Sequence, residues 1–154
     1  MLNKALLRIL LCLNVTMFSG AAFAASSGDD YGTTAKMPSS YMKAVKIIKS
    51  GKYREAIPLL MLANSKKPKD ADINNLLGFS HRKTGDLEKA NAYYRKALQI
   101  DGKHKGALEY QGELFLMLGN KAAAEDNLRK LDKICWLGCS ELDDLQTAIN
   151  NFKS

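Results

Sequence analysis

Histidine, cysteine and proline are scarce in this chain of 154 residues, which contains two, three and three of them respectively. With only His81 and His104, a metal centre built from several imidazole ligands is excluded. The chain also lacks an apolar run of about 20 residues, the length that a membrane-spanning helix needs. Its hydrophobic fraction of 46% is too high for wholesale disorder, so the composition favours a folded globular protein.

Motifs that carry chemistry are missing as well. No serine or cysteine sits in a recognisable nucleophile elbow, and no glycine-rich loop is placed to cradle a phosphate. Basic and aromatic residues are not interleaved as they are in nucleic-acid-binding segments. The sequence therefore predicts a protein that is not an enzyme, has no catalytic residues, needs no metal or cofactor, and binds no nucleic acid.

The N-terminus has the pattern of a secretory signal peptide. Lys4 and Arg8 precede a short apolar run over residues 9–18, and small residues follow up to Ala24. Cleavage between Ala24 and Ala25 is expected to release a mature chain that is not inserted in a membrane. The brevity of the signal is typical of bacteria, so the predicted location is periplasmic or secreted.

Two cysteines, Cys135 and Cys139, remain after this cleavage because Cys12 is removed with the signal. An even number of cysteines in an exported chain favours a disulfide, and Gly138 permits the sharp turn that would bring the two sulfurs together. A structural bond is the leading interpretation. A thiol-redox role for the same pair stays open as an alternative.

A period of 34 residues organises the rest of the chain. Five columns of similar residues recur at this step in three consecutive copies without insertions. The columns are Gly51, Gly85 and Gly119; Ala56, Ala90 and Ala124; Ala44, Gly78 and Gly112; Ile47, His81 and Phe115; and Leu60, Tyr94 and Leu128.

Each copy has the pattern of two helices joined by a turn. In the second copy, apolar residues recur at three- and four-residue steps on both sides of Gly85, which can end a helix in the left-handed conformation. One such hairpin cannot bury its apolar face alone, so neighbouring hairpins must stack. The sequence predicts an all-α fold, an α-solenoid of three hairpins closed by a C-terminal capping helix whose N-cap is Ser140. The expected segments are a signal peptide at 1–24, a disordered lead-in at 25–36, repeats at 37–70, 71–104 and 105–138, and the capping helix at 139–154.

These columns resemble the tetratricopeptide repeat (TPR) family, and the chain is similar to small exported bacterial proteins that contain such repeats. The second copy matches the family pattern best, at Gly78, Gly85, Ala90, Tyr94 and Ala97. The resemblance implies a solenoid whose concave face, formed by the first helix of each repeat, binds an extended or helical segment of another protein. Carried over by register, this binding groove consists of Tyr41, Val45, Ile48, Asn75, Phe79, Arg82, Glu109, Glu113 and Leu116.

The predicted function is therefore that of a periplasmic interaction or scaffolding module with a protein or peptide partner in the bacterial envelope. Val45 occupies the position of a key asparagine in the clamp by which some TPR proteins hold a C-terminal carboxylate, so that clamp is not matched. The first repeat has eight lysine and arginine residues against two acids, which would attract an acidic partner or surface. The alternative is a self-assembling structural protein of the envelope.

Overall fold

The computed structural model describes residues 36–153, and every regular element in this part of the chain is an α-helix. The predicted signal peptide, and the predicted lead-in up to residue 35, lie outside the described residues. The seven helices are α1 (Ser39–Lys49), α2 (Tyr53–Lys66), α3 (Ala71–Lys83), α4 (Leu87–Ile100), α5 (Lys105–Met117), α6 (Lys121–Ile134) and α7 (Ser140–Asn151). None of them is long and apolar enough to span a membrane.

Six of the helices form the three predicted hairpins, α1 with α2, α3 with α4, and α5 with α6. The turn inside each hairpin contains one glycine of the 34-residue column, and Gly51, Gly85 and Gly119 have φ angles of 78°, 88° and 75°. This left-handed conformation is costly for residues that carry a Cβ atom, which explains why glycine recurs at this position. The prediction of an all-α solenoid is confirmed.

Glycines in two of the first helices allow a neighbouring helix to approach closely, α4 at Gly78 and the capping helix α7 at Gly112. A Cβ atom on Gly78 would lie 2.6 Å from two ring carbons of Tyr94, and one on Gly112 would lie 2.6 Å from a methyl group of Leu145. Both side chains are fully buried. Each contact therefore combines a missing side chain on one helix with a large one on its neighbour, which fills the interior at normal density.

The capping helix α7 covers α5 and α6 at the end of the array. Leu145 and Ile149 are its buried residues, and they pack in one cluster with Leu108, Leu116 and Leu131. The predicted N-cap is wrong by one residue: Cys139 occupies that position, and Ser140 is the first residue of the helix. The cause is the turn before the helix, where the extended backbone of Cys139 leads directly into α7.

A short loop between α6 and α7 contains the two cysteines. In the structure their sulfur atoms are bonded, and their Cα atoms lie 5.7 Å apart. Gly138 has a φ angle of 87°, so the turn between them uses the conformational freedom of glycine. Trp136 and Leu137, between the cysteines, are largely exposed to solvent.

Formation of this bond in the native protein stays a prediction that the Cys139→Ala variant can test. Closing such a short loop restricts the unfolded chain, so the variant is expected to lose about 1–3 kcal/mol of unfolding free energy. Its helical content should change little, because Cys139 lies outside the helices. Chemical denaturation followed by circular dichroism measures both quantities. Two free thiols in the mature wild-type protein, found by mass spectrometry under non-reducing conditions, would contradict the expectation.

Candidate peptide-binding face

The first helices of the three hairpins, α1, α3 and α5, carry all nine predicted groove residues. We call this set the inner face: Tyr41, Val45 and Ile48 on α1; Asn75, Phe79 and Arg82 on α3; Glu109, Glu113 and Leu116 on α5. Corresponding residues are spaced by 34, and within each helix they recur at steps of three or four residues. They therefore form one stripe along each helix.

The inner face is less accessible than the sequence indicated. Asn75, Arg82, Glu109 and Leu116 are buried, whereas the other five residues are partly exposed. Leu116 belongs to the hydrophobic cluster beneath α7. Neighbouring helices therefore cover most of the surface of these four side chains, and the use of the nine residues as a binding groove stays a prediction.

Arg82 links the second and third hairpins. One of its terminal nitrogens lies 2.5 Å from a carboxylate oxygen of Glu113, and its Nε donates a hydrogen bond of 3.3 Å to the hydroxyl of Tyr94. Burial raises the pKa of Tyr94, so this hydroxyl stays protonated at physiological pH. Arg82 is therefore a fixed structural cation and is not available as a freely moving anchor.

Aromatic rings surround this arginine. Its guanidinium carbon lies 5.6 Å from the ring centroids of both Phe79 and Tyr110, a distance at which cations interact with aromatic faces. The rings of Phe79 and Tyr110 are 4.9 Å apart, and Tyr53 meets the edge of Phe79 at 5.5 Å. These three rings are partly exposed, so the centre of the inner face is an aromatic surface with a buried cation beside it.

Tyr110 and Tyr53 were missed by the sequence reasoning. Tyr110 shares its column with Met42 and Leu76, which the repeat pattern does not place on the inner face. Its aromatic character among aliphatic equivalents is the one signal that could have singled it out.

Beside this aromatic surface, acidic residues of α5 and α7 come together. The pKa of Glu109 is raised to about 8, chiefly by burial and then by the nearby carboxylates of Glu113, Asp144 and Glu141, whereas Arg82 acts in the opposite direction. A buried carboxyl group near other acids holds its proton because the charged form is poorly solvated and repelled. Glu109 is therefore mostly protonated at pH 7.

Burial of the Glu109 carboxyl group lowers the stability of the folded state when the group ionises, and the Glu109→Gln substitution should remove this pH dependence. In the unfolded chain the carboxyl group ionises near its ordinary pKa of 4.5, so between pH 4.5 and 8 the folded state binds more protons and loses stability as the pH rises. We expect the variant to be more stable than the wild type by about 1–3 kcal/mol at pH 7.5 and equally stable at pH 4. Urea unfolding at both pH values measures the difference. Glu88→Gln, an exposed position on α4, is the control and should change the stability by less than about 0.5 kcal/mol.

The two histidines have structural contacts. His104 accepts a hydrogen bond of 3.1 Å from the backbone N–H of Ala107 through Nδ1, and its Nε2 lies 3.0 Å from a carboxylate oxygen of Asp72. His81 is buried, which lowers its pKa, and its ring stacks on Tyr93. Among residues 36–153, no group of three or more histidine, cysteine, aspartate or glutamate side chains is arranged to hold a metal ion.

A separate open cleft of about 370 Å³ lies between α6 and α7, away from the inner face. Leu128 and Leu142 form its apolar wall, and Arg129, Asp132 and Asp143 stand at its margin. The aromatic surface of Phe79, Tyr110 and Tyr53 lies on other helices. The inner face is therefore the stronger candidate for a binding site.

Comparison with known proteins identifies the repeat. Residues 71–104 match the tetratricopeptide repeat family, as the sequence resemblance predicted, and this prediction is confirmed. No curated protein matches the sequence.

Several solved structures share the fold. The first TPR domain of Spaghetti (RPAP3), bound to the HSP90 peptide SRMEEVD, is 16% identical over 75% of this chain and 91% of that chain, with a TM-score of 0.65. The Yersinia enterocolitica type III secretion chaperone SycD, in complex with a peptide of the translocator YopD, is 22% identical over 73% of this chain and 86% of that chain, with a TM-score of 0.63. MamA from Desulfovibrio magneticus RS-1 is 24% identical over 66% of this chain and 57% of that chain, with a TM-score of 0.61. At these identities the likeness establishes the fold.

Proposed function

Because the chain contains a recognised tetratricopeptide repeat and has the solenoid fold of TPR proteins, we propose that it is a peptide-binding module without catalytic activity. The inner face holds a segment of a partner protein. The observation that carries this proposal is the partly exposed aromatic surface of Phe79, Tyr110 and Tyr53, fixed in place by Arg82. Rigid aromatic side chains beside an arginine are typical of the positions that contribute most to binding energy in protein interfaces.

Two of the structural neighbours support this use of the fold, since they are complexes with the HSP90 peptide and the YopD peptide. The ligand of the present chain must differ in chemistry from a C-terminal carboxylate. Val45 replaces the asparagine of the carboxylate clamp, and the third repeat presents Glu109 and Glu113 to the inner face. Because Glu113 already pairs with Arg82, this arginine is not available to an anionic peptide.

The proposed location is the bacterial periplasm or the secreted fraction. The signal pattern before Ala25 and the bonded pair Cys135 and Cys139 support it, because disulfides persist in oxidising compartments. N-terminal sequencing of protein from the periplasmic fraction should begin at Ala25. Full-length protein that is extracted only by detergent would contradict this location.

Self-assembly is the second candidate, and one observation favours it. Met42 on α1 is exposed, whereas Leu76 and Tyr110 at the equivalent positions of the later hairpins are only partly exposed. Lys43, which stands in the column of Leu77, places a charge on this uncovered face and opposes stacking of a second copy. A mass above that of one chain in native mass spectrometry would favour self-assembly.

Selection of peptides tests the proposed function directly. The mature chain, residues 25–154, is used to select binders from a random peptide library displayed on phage, and the affinities of the synthetic peptides are then measured. Val45 lies on the inner face outside the described hydrophobic clusters, so Val45→Glu should weaken binding at least about tenfold, or 1.4 kcal/mol, without unfolding the chain. Arg95→Glu, an exposed position on α4, is the matched control and should bind normally. Equal loss in both variants, or no selected peptide, would contradict the proposal.

A further inference from the structure

We propose that the acidic end of the inner face receives a lysine or arginine side chain of the bound peptide, with the Glu109 carboxylate and the Asn75 side-chain oxygen as its acceptors. The inference rests on the proposed function, because it names the chemistry of the segment that the inner face binds. Its first support is a pair of acceptors on the inner face that lack donors.

Asn75 and Glu109 are each only 7% exposed, so neither side chain is well hydrated. The side-chain oxygen of Asn75 has no hydrogen-bond partner. Glu109 has neither a hydrogen bond nor an ion pair within residues 36–153. Buried polar groups almost always have partners, so the unpaired oxygen of Asn75 indicates a donor that arrives from outside. The carboxyl oxygens of Glu109 are not among the fully buried side-chain atoms without a partner, so such a group can reach them.

The two side chains belong to the same region of the inner face. The amide nitrogen of Asn75 lies so close to Gly106 that a Cβ atom there would be 3.2 Å away. Gly106 and Glu109 are three residues apart on α5, which places them on one side of that helix. The absence of a side chain at Gly106 thus leaves room for the Asn75 amide next to the first turn of α5.

The acidic groups around Glu109 favour a positively charged group on the ligand. Glu113, Glu141 and Asp144 all act on Glu109 electrostatically, and they come from α5 and α7. Arg82 is the only cation among these interactions, and its guanidinium is already paired with Glu113 at 2.5 Å. An incoming ammonium or guanidinium group would satisfy both acceptors and relieve the repulsion among the acids.

The aromatic surface offers a packing site for the aliphatic part of the incoming lysine or arginine side chain. The pKa of the Tyr110 hydroxyl is raised by burial first and by Glu109 second, so this ring stands close to the acidic end. Tyr110 also contacts Phe79. Lysine and arginine have long aliphatic stems that pack on apolar surface while the charged head reaches a partner.

Binding of a cation should displace the proton that Glu109 holds at pH 7. The carboxyl group loses this proton to the buffer when the positive charge arrives, since the ion pair favours the ionised form. Isothermal titration calorimetry of one peptide in phosphate and in Tris buffer measures the number of protons released. We expect nearly one proton for the wild type and none for Glu109→Gln.

A comparison of matched peptides gives the decisive test. The probes are a selected peptide that contains a lysine and the same peptide with norleucine, which keeps the aliphatic stem and removes the charge. Replacement of lysine by norleucine in the peptide should weaken binding to the wild type at least about tenfold. The same replacement should weaken binding to Glu109→Gln less than about twofold. Asp132→Asn, an exposed position on α6, is the control and should behave as the wild type.

The possible outcomes separate this inference from the proposed function. Selected peptides that bind through Val45 but show no preference for lysine or arginine would overturn the inference and leave the function standing. An equal effect of norleucine in the wild type and in Glu109→Gln would also overturn it. If no peptide binds, both the inference and the function are wrong. Glu109→Gln is expected to fold, because the substitution removes a destabilising group.

Discussion

Replacement of Arg82 with alanine is expected to lower the free energy of unfolding by about 3–5 kcal/mol. The substitution removes the ion pair with Glu113 and the hydrogen bond to Tyr94. It leaves a carboxylate among other acids and a buried hydroxyl without its partner, and both are costly in a poorly hydrated site. Denaturant unfolding measures the loss. Arg95→Ala, which removes an exposed arginine from α4, should change the stability by less than about 0.5 kcal/mol.

A double variant separates the ion pair from the packing of the arginine. Removal of Glu113 together with Arg82 takes away both charges, so the pair of substitutions should cost clearly less than the sum of the two single ones. Additive losses, or a loss below 1 kcal/mol for Arg82→Ala alone, would mean that Arg82 is not the link between the second and third hairpins. This result also governs the design of binding studies, since loss of binding in an Arg82 variant could come from unfolding.

The second large effect is expected from Leu145→Ala in the capping helix. Leu145 is fully buried, and its methyl groups occupy the space above Gly112 that a side chain would otherwise fill. Its truncation leaves a cavity between α5 and α7 and should cost about 2–5 kcal/mol. The control is Gln146→Ala, an exposed neighbour on the same helix, with a change below about 0.5 kcal/mol.

The region of the chain that Leu145→Ala destabilises is as informative as the size of the loss in unfolding free energy. Because α7 packs on α5 and α6, hydrogen exchange in Leu145→Ala should become faster first in the third hairpin. Uniform acceleration in all three hairpins would contradict this order and show that the array opens as one cooperative unit. Faster exchange confined to α1 and α2 would contradict the role of α7 as a cap on the last repeat.

The fold was largely predictable because its determinants recur in the sequence. Gly51, Gly85 and Gly119 mark the turns of the hairpins, and their 34-residue spacing sets the lengths of the helices between them. The capping helix was predictable from its apolar stripe, which includes Leu145 and Ile149. The N-cap was displaced by one residue because it depends on the backbone of the preceding loop, which no periodic pattern encodes.

The candidate site was predictable only in outline. The repeat register predicts on which face of a helix a residue lies. How deeply its side chain is buried depends on the residues that other helices pack against it. Arg82 is equivalent to the partly exposed Ile48, yet Glu113 and Tyr94 hold it in the interior. Glu109 is equivalent to Tyr41, and it is buried and surrounded by acids because α7 approaches it. The partners of these groups are set by packing and are not visible in a single column.

Site-specific photo-cross-linking tests the central claim, that the inner face binds a peptide, most directly. A photoreactive amino acid is placed at Val45 on the inner face or at Arg95 on the outer helix α4, and each protein is irradiated with a peptide selected on the wild type. The account predicts an adduct from position 45 that an excess of unlabelled peptide abolishes, and no specific adduct from position 95. An adduct of the selected peptide at position 95 and none at position 45 would contradict it.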